Sequence, residues 1–450
     1  MRRKIYNKSK EWKQNNARKE ALLIDGARRV GKSYIVEEFA KNEYKSYILI
    51  NFGNMTKELR EIFDNYLNDL DSFFIRLSLW AGVKLYHHES LIIFDEVQLY
   101  PKAREAIKWL VADNRYDYIE TGSLISIRKN TNGILIPSEE CHIDMYPMDF
   151  EEFLWALGED SIMLFVEECY AKKQSLGAAL HRKLMDYLRL YMIVGGMPQA
   201  VNEYVESRDF DNVDHIKRNI LSLYRNDIYK YSAHDAPKVI RIFDSIPGQL
   251  QRHEKRFRIG NLQKGARTRD YQNAFFWLDE ARIVNTCYAA TEPSIGLKLN
   301  RDDAKYKLYF ADTGLLISHS FDENEILSEK LYAKLLLDKI EINKGMIVEN
   351  LVAQMFRASG KKLYYYTQSS RDNSEDNIEI DFLIRKPIVT SRHNICPVEV
   401  KSSNNYKTSS LIKFRNKFSQ YLHTNYVLHS GDLKEDNGIL YLPLYMAPLL

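Results

Sequence analysis

The chain has 450 residues, with 64 Lys or Arg against 61 Asp or Glu, so its net charge of +3 singles out neither nucleic acid nor an anionic surface as a partner. The length exceeds one ordinary hydrophobic core and calls for two or three domains. Four scattered cysteines (Cys141, Cys169, Cys287, Cys396) form no C-x-x-C pair, which fits a reduced cytoplasmic protein and argues against a zinc site or a disulfide framework.

The first twenty residues carry eight Lys or Arg and two Glu, without the apolar core of a signal peptide, and read as a solvated basic helix. No apolar run approaches a membrane span, so no membrane partner is expected. Residues 21–150 alternate apolar runs with helical patterns, the signature of βαβ units around a mainly parallel sheet. Strands are expected at Ala21–Ile24, Tyr47–Asn51, Leu91–Asp95, Tyr118–Thr121 and His142–Met145. Helices are expected around Lys32–Ala40, Thr56–Leu70, Ser72–Tyr86 and Ala103–Asp113, with Pro101 suited to the start of the last.

Between the first strand and first helix stands Gly26-Ala27-Arg28-Arg29-Val30-Gly31-Lys32-Ser33, a G-x-x-x-x-G-K-[ST] phosphate-binding loop in its required context. Gly26 and Gly31 let the backbone turn successive N–H groups toward an anion. The helix that starts near Lys32 and Tyr34 adds its positive end. Lys32 is expected to reach the β- and γ-phosphates, and the Ser33 hydroxyl to bind Mg²⁺. The strand Leu91-Ile92-Ile93-Phe94 ends in Asp95-Glu96, the form of a Walker B segment. There Asp95 would hold Mg²⁺ through water and Glu96 would polarise the water that attacks the γ-phosphate. Thr121 or Ser123, ending the next strand, could sense that phosphate; a plain strand-ending turn is the competing reading. The cofactors expected are therefore ATP and Mg²⁺.

The segments GARRVGKS, IIFDEVQ, ETGSL, YPMDFEEFL and VGGMPQAV, in this order, resemble the prokaryotic AAA-type ATPases whose C-terminal half is a domain of unknown function. YKLYFADTGLL and EIDFLI…PVEVKS are similar to that family as well. The resemblance implies an α/β fold with four parts. These are an AAA-like P-loop ATPase domain at 1–150, a helical lid or connector at 151–235, a winged-helix-like domain at 236–320, and a tail at 321–450 resembling PD-(D/E)xK nucleases. AAA assemblies complete the site with a neighbour's arginine, which makes a homo-oligomer conceivable and Arg28, Arg128 and Arg225 candidates; an ordinary salt bridge is the competing reading for each.

In the connector, Glu151–Leu157, Leu180–Leu190 and Val213–Tyr229 show helical spacing, broken by Gly195-Gly196-Met197-Pro198. Farther on, a helix at Thr268–Ala281 and strands at Arg282–Tyr288 and Tyr306–Phe310 suggest a winged helix capped by Thr268. Lys264, Arg267 and Arg269 could contact DNA phosphates there, against a purely structural role for the same domain.

In the tail, a helix at Lys344–Ala358 carries Glu349. A strand at Ile378–Ile384 carries Asp381, and a strand at Pro397–Lys401 carries Glu399 and Lys401 on one face. Three carboxylates with a lysine suit metal-assisted phosphodiester cleavage, although Ile380 stands where the nuclease motif has proline. The competing reading is an inactive nuclease-like fold whose charges form an ion-pair cluster. The function expected is a Mg²⁺-dependent ATPase acting as a nucleotide-gated switch on nucleic acid or a protein. The alternatives are an ATPase-coupled nuclease and a non-catalytic ATP-binding switch.

Overall fold

The computed structural model describes residues 1–123, 136–232, 235–252, 256–263, 265–294, 296–321, 344–369, 377–386, 392–403 and 405–450. These form two compact units, residues 1–146 with 280–282, and residues 147–279 with 283–450. Arg128 and Lys264 lie outside the described residues.

The first unit opens with α1 (Lys4–Asn15), β1 (Ala21–Gly26), α2 (Lys32–Glu43) and β2 (Ser46–Asn51). It continues through α3 (Lys57–Asn65), α4 (Leu70–Ala81), β3 (Ser90–Asp95), α5 (Pro101–Asp113), β4 (Asp117–Gly122) and β5 (Glu140–Met145). The five strands are parallel in the order β2-β3-β4-β1-β5. Every residue of β1, β3 and β4 is buried, because a parallel sheet is covered on both faces. Pairing of Ile24 with Thr121 and of Asn51 with Asp95 aligns the carboxyl ends of β1 to β4, where such sheets open their ligand crevice. Edge-on aromatic packing of Phe63 against Phe52, Phe73, Phe94 and Tyr100 anchors the core on one side of that sheet. Two helices are shorter than the apolar pattern predicts. The one expected to run to Leu70 ends at Asn65, and a new one begins where the Asp69 carboxylate accepts from the Ser72 N–H. That second helix stops at Gly82, whose φ of +62° closes it well before Tyr86.

The second unit begins with helices α6 (Phe150–Ala156), α7 (Ile162–Lys172), α8 (Ala178–Val194), α9 (Pro198–Ser207), α10 (Phe210–Tyr231), α11 (Ala236–Leu250) and α12 (Thr268–Glu280). A capping box of Asp149 and Glu152 starts α6, and Gly195 at φ +83° ends α8 as the Gly-Gly turn requires. β6 (Val284–Ala290), β7 (Arg301–Phe310), α13 (Thr313–His319) and α14 (Lys344–Ala358) follow. The chain closes through β8 (Tyr364–Gln368), β9 (Ile378–Arg385), β10 (Ile395–Val400), α15 (Ser409–Phe418), β11 (Asn425–His429), β12 (Lys434–Asp436) and β13 (Ile439–Pro443). Strands β6 to β13 make one mixed sheet in the order β12-β13-β11-β10-β9-β8-β6-β7. The hairpin expected as a wing is thus continuous with the C-terminal sheet, through parallel pairing of β6 with β8. Thr268 opens α12 as its first residue instead of capping it. Among the described residues no helix is long and apolar enough to cross a membrane.

Candidate functional site

The phosphate-binding loop connects β1 to α2, and its two glycines serve different ends. Gly31 sits at φ +94° immediately before the helix, a left-handed position that an L side chain adopts only under strain. Gly26 needs space instead: a Cβ there would stand 2.3 Å from the Met145 carbonyl oxygen. Arg29 also takes a left-handed φ of +70°, so the loop folds back toward the helix start at Lys32. Val30 is fully buried beneath it, Arg28 is exposed, and Ala27 packs inside. The Lys32 ammonium donates to the carbonyls of Gly26 and Ala27, each at 2.9 Å, and so spans the loop. Burial pulls its pKa below the ordinary lysine range, against the opposing pull of Glu96, Asp25 and Asp95.

The chemistry converges on Asp95, which is 3% exposed. Its Oδ1 accepts from the Ser33 hydroxyl at 2.7 Å and from the Thr121 hydroxyl, and its Oδ2 accepts from Asn51 Nδ2 at 2.9 Å. β2, β3 and β4 therefore each contribute a residue at their carboxyl ends, and α2 contributes Ser33 from its first turn, to one polar cluster. Glu96 follows in a left-handed conformation at φ +56°, its carboxylate taking a hydrogen bond from Gln98 Nε2. Ser33 and Asp95 could hold a divalent cation together, and Glu96 is next to them for a water. Of the two sensor candidates, Thr121 reaches Asp95, and Ser123 is buried one residue past β4. Tyr34 is half exposed and lines a groove of about 340 Å³ with Met1, Arg2, Tyr6 and Asn7.

Sequence reasoning missed two residues here. Asn51 could have been found by noticing that parallel register sets the end of β2 beside Asp95. Arg3 had no such signal. It is 6% exposed and donates to the carbonyls of Val30 at 2.8 Å and Tyr146 at 2.7 Å, tying the basic N-terminal helix to the loop. Just before Gly26, Asp25 lies with His142 and Asp144 so that ligand atoms of all three fall within 4.8 Å. The Arg282 guanidinium already answers those charges, 2.6 Å from Asp144 and 3.7 Å from Asp25.

In the second unit, the four residues expected as a nuclease site are distributed over two ion-pair groups. Lys401, just past β10, lies 2.8 Å from Glu399, and Asp381 accepts from the Val400 N–H at 2.8 Å. Glu349 on α14 pairs with a residue the motif does not contain, Lys307 of β7, at 3.1 Å. Burial raises the Glu399 pKa despite Lys401 beside it. Arg267 and Arg269 are exposed, the latter 3.7 Å from Asp270, and Arg225 pairs with Asp244 at 2.8 Å.

Sheet order, loop and Walker B cluster together define a P-loop NTPase. Residues 18–154 match the family model of an AAA domain. Residues 185–325 and 344–446 match two models described as domains of unknown function, DUF8612 and DUF4143. Among curated proteins no sequence relative matches. Solved structures similar to the chain include Cdc6p from Pyrobaculum aerophilum, at 12% identity over 74% of this chain and 92% of that one, with a TM-score of 0.23. AMPPCP-bound DnaA from Aquifex aeolicus is another, at 10% identity over 62% and 86%, with a TM-score of 0.25. The fold assignment rests on the sheet order, the loop and the AAA match, not on these two likenesses.

Proposed function

We propose that this chain is a Mg²⁺-dependent ATP hydrolase of the AAA type, working as a nucleotide-gated switch in the cytoplasm. The observation that supports this best is the convergence of Ser33, Asn51 and Thr121 on Asp95, with Glu96 adjacent. In such a site the Gly26–Ser33 loop and Tyr34 hold ATP or ADP, and Lys32 turns from its two carbonyls to the β- and γ-phosphates. Ser33 and Asp95 bind Mg²⁺, which neutralises charge on the phosphates. Glu96 accepts a proton from the attacking water, and Thr121 or Ser123 registers whether the γ-phosphate is present. Loss of that phosphate releases its contacts, the general logic by which hydrolysis resets a switch.

On this reading the four domains expected from the sequence serve as motor, connector and readout. The readout is DNA, met through Lys264, Arg267 and Arg269, or else a protein partner. A homo-oligomer would supply an arginine to the site in trans, with Arg28, Arg128 and Arg225 as the candidates. The coupled-nuclease alternative would need Glu349, Asp381 and Glu399, with Lys401, to share a metal, and the Lys307 ammonium, 3.1 Å from Glu349 and 3.9 Å from Asp381, does not favour it. Hydrogen exchange of the Glu96→Gln protein tests the switch. Mg·ATP and Mg·ADP should give different protection between residues 147 and 450. Identical protection there in both nucleotides, at saturation, would contradict gating.

A further inference from the structure

Lys307, 1% exposed, lies among carboxylates of the second unit and enters from β7, a strand outside the nuclease motif. Its ammonium lies 3.1 Å from Glu349, 3.2 Å from Glu379 and 3.9 Å from Asp381. An ammonium has three donors and one compact charge, and three carboxylates around it satisfy both. Burial alone would drive such a lysine toward its neutral form. Here burial is overcome by Glu349, Glu379 and Asp381, which carry the pKa well above the ordinary lysine value.

One oxygen of each motif carboxylate already faces a donor or a cation of the chain itself. Glu349 Oε1 accepts from both Lys307 and the Tyr309 hydroxyl, Asp381 Oδ2 accepts from the Val400 N–H, and Glu399 faces Lys401. Among the described residues, ligand atoms of Glu349, Asp381 and Glu399 do not gather within 4.8 Å of one another as a shared cation would require. A divalent ion placed among them would also stand within a few ångströms of the buried Lys307 charge, which would repel it.

We propose that Lys307 is the resident cation of this carboxylate cluster and closes it to divalent metal, so that the unit is held by an internal ammonium and does not cleave phosphodiesters. This is independent of whether the first unit turns over ATP. The test is Mn²⁺ binding by electron paramagnetic resonance on the nucleotide-free full chain. Wild type and Asp381→Asn should bind equal numbers of Mn²⁺, because the cluster contributes none, and any ion held near Asp25 and His142 cancels in the comparison. Lys307→Met should gain one Mn²⁺ that adding Asp381→Asn removes. A wild type that binds one more Mn²⁺ than Asp381→Asn overturns the proposal. So does a folded Lys307→Met that gains none, since the ammonium would then not be what excludes the metal. Should Lys307→Met fail to fold, the wild-type comparison decides alone.

Discussion

Replacing Asn51 with leucine keeps the side chain's shape and removes its hydrogen bonds. Two contacts are lost: one to Asp95 Oδ2 at 2.9 Å, the other from the Gly53 N–H at 2.8 Å. The Gly53 amide is exposed, so water replaces its partner at little cost. Asp95 is 3% exposed and has no such substitute. A hydrogen bond to a charged acceptor contributes about 1.5–3 kcal/mol, and each factor of ten in rate corresponds to about 1.4 kcal/mol. If Asn51 orients the oxygen that Mg²⁺ uses, kcat/KM for Mg·ATP should fall by roughly 10- to 150-fold. ATP affinity without Mg²⁺ should stay within about threefold, because no phosphate contact is assigned to Asn51. The assay is steady-state turnover over a Mg²⁺ titration, beside equilibrium binding of a fluorescent ATP analogue. Unchanged turnover in Asn51→Leu would remove Asn51, and the Asp95-centred account of the site, from the mechanism.

Glu96→Gln keeps size and hydrogen bonding while removing the base, so ATP should bind normally and turnover should fall by about a hundredfold or more; wild-type turnover would end that assignment. Arg104 on α5 makes a bidentate pair with Glu140 of β5 at 2.9 Å, and burial, reinforced by Glu140, raises the pKa of neighbouring Glu120 well above the ordinary carboxylate value. Arg104→Met leaves Glu140 without its partner and should cost about 3–5 kcal/mol in chemical denaturation. Glu140→Gln should cost less, because it removes the Glu140 charge that raises the Glu120 pKa and leaves Arg104 beside Glu120; equal losses would contradict that exchange. Burial lowers the Lys217 pKa from 10.5 to about 8, while its ammonium donates to the Ile193 carbonyl at 2.8 Å. Between these values the unfolded chain binds more protons than the folded one. This group's contribution to stability therefore rises with pH across that window, by about 3 kcal/mol in total. Comparing wild type with Lys217→Met from pH 7 to 10 isolates it, and parallel stability curves would refute the assignment.

The candidate site in the first unit could be read from the sequence because its motifs are local. A phosphate loop needs glycines and a lysine in fixed order, and a buried strand ending in Asp95-Glu96 declares itself. Even so, the spacing did not distinguish the reasons for the two glycines, since Gly26 answers to the Met145 carbonyl across the sheet. Strand positions followed from apolar runs, while helix ends followed from caps such as Asp69 and Gly82, which periodicity does not register. Contacts between residues distant in sequence were out of reach. Arg3 meets the loop from α1, and Lys307 meets Glu349 from β7, a strand that read as part of a separate wing until its pairing joined it to the C-terminal sheet.

The central claim is tested most directly by Mg²⁺-dependent ATP turnover of the purified full chain beside Lys32→Ala, with and without double-stranded DNA. Turnover in wild type that requires Mg²⁺ and vanishes in Lys32→Ala is the predicted result, with DNA stimulation marking nucleic acid as the partner. Equal rates in the two proteins, or ATP binding that survives Lys32→Ala undiminished, would contradict the assignment of the Gly26–Ser33 loop as the nucleotide site.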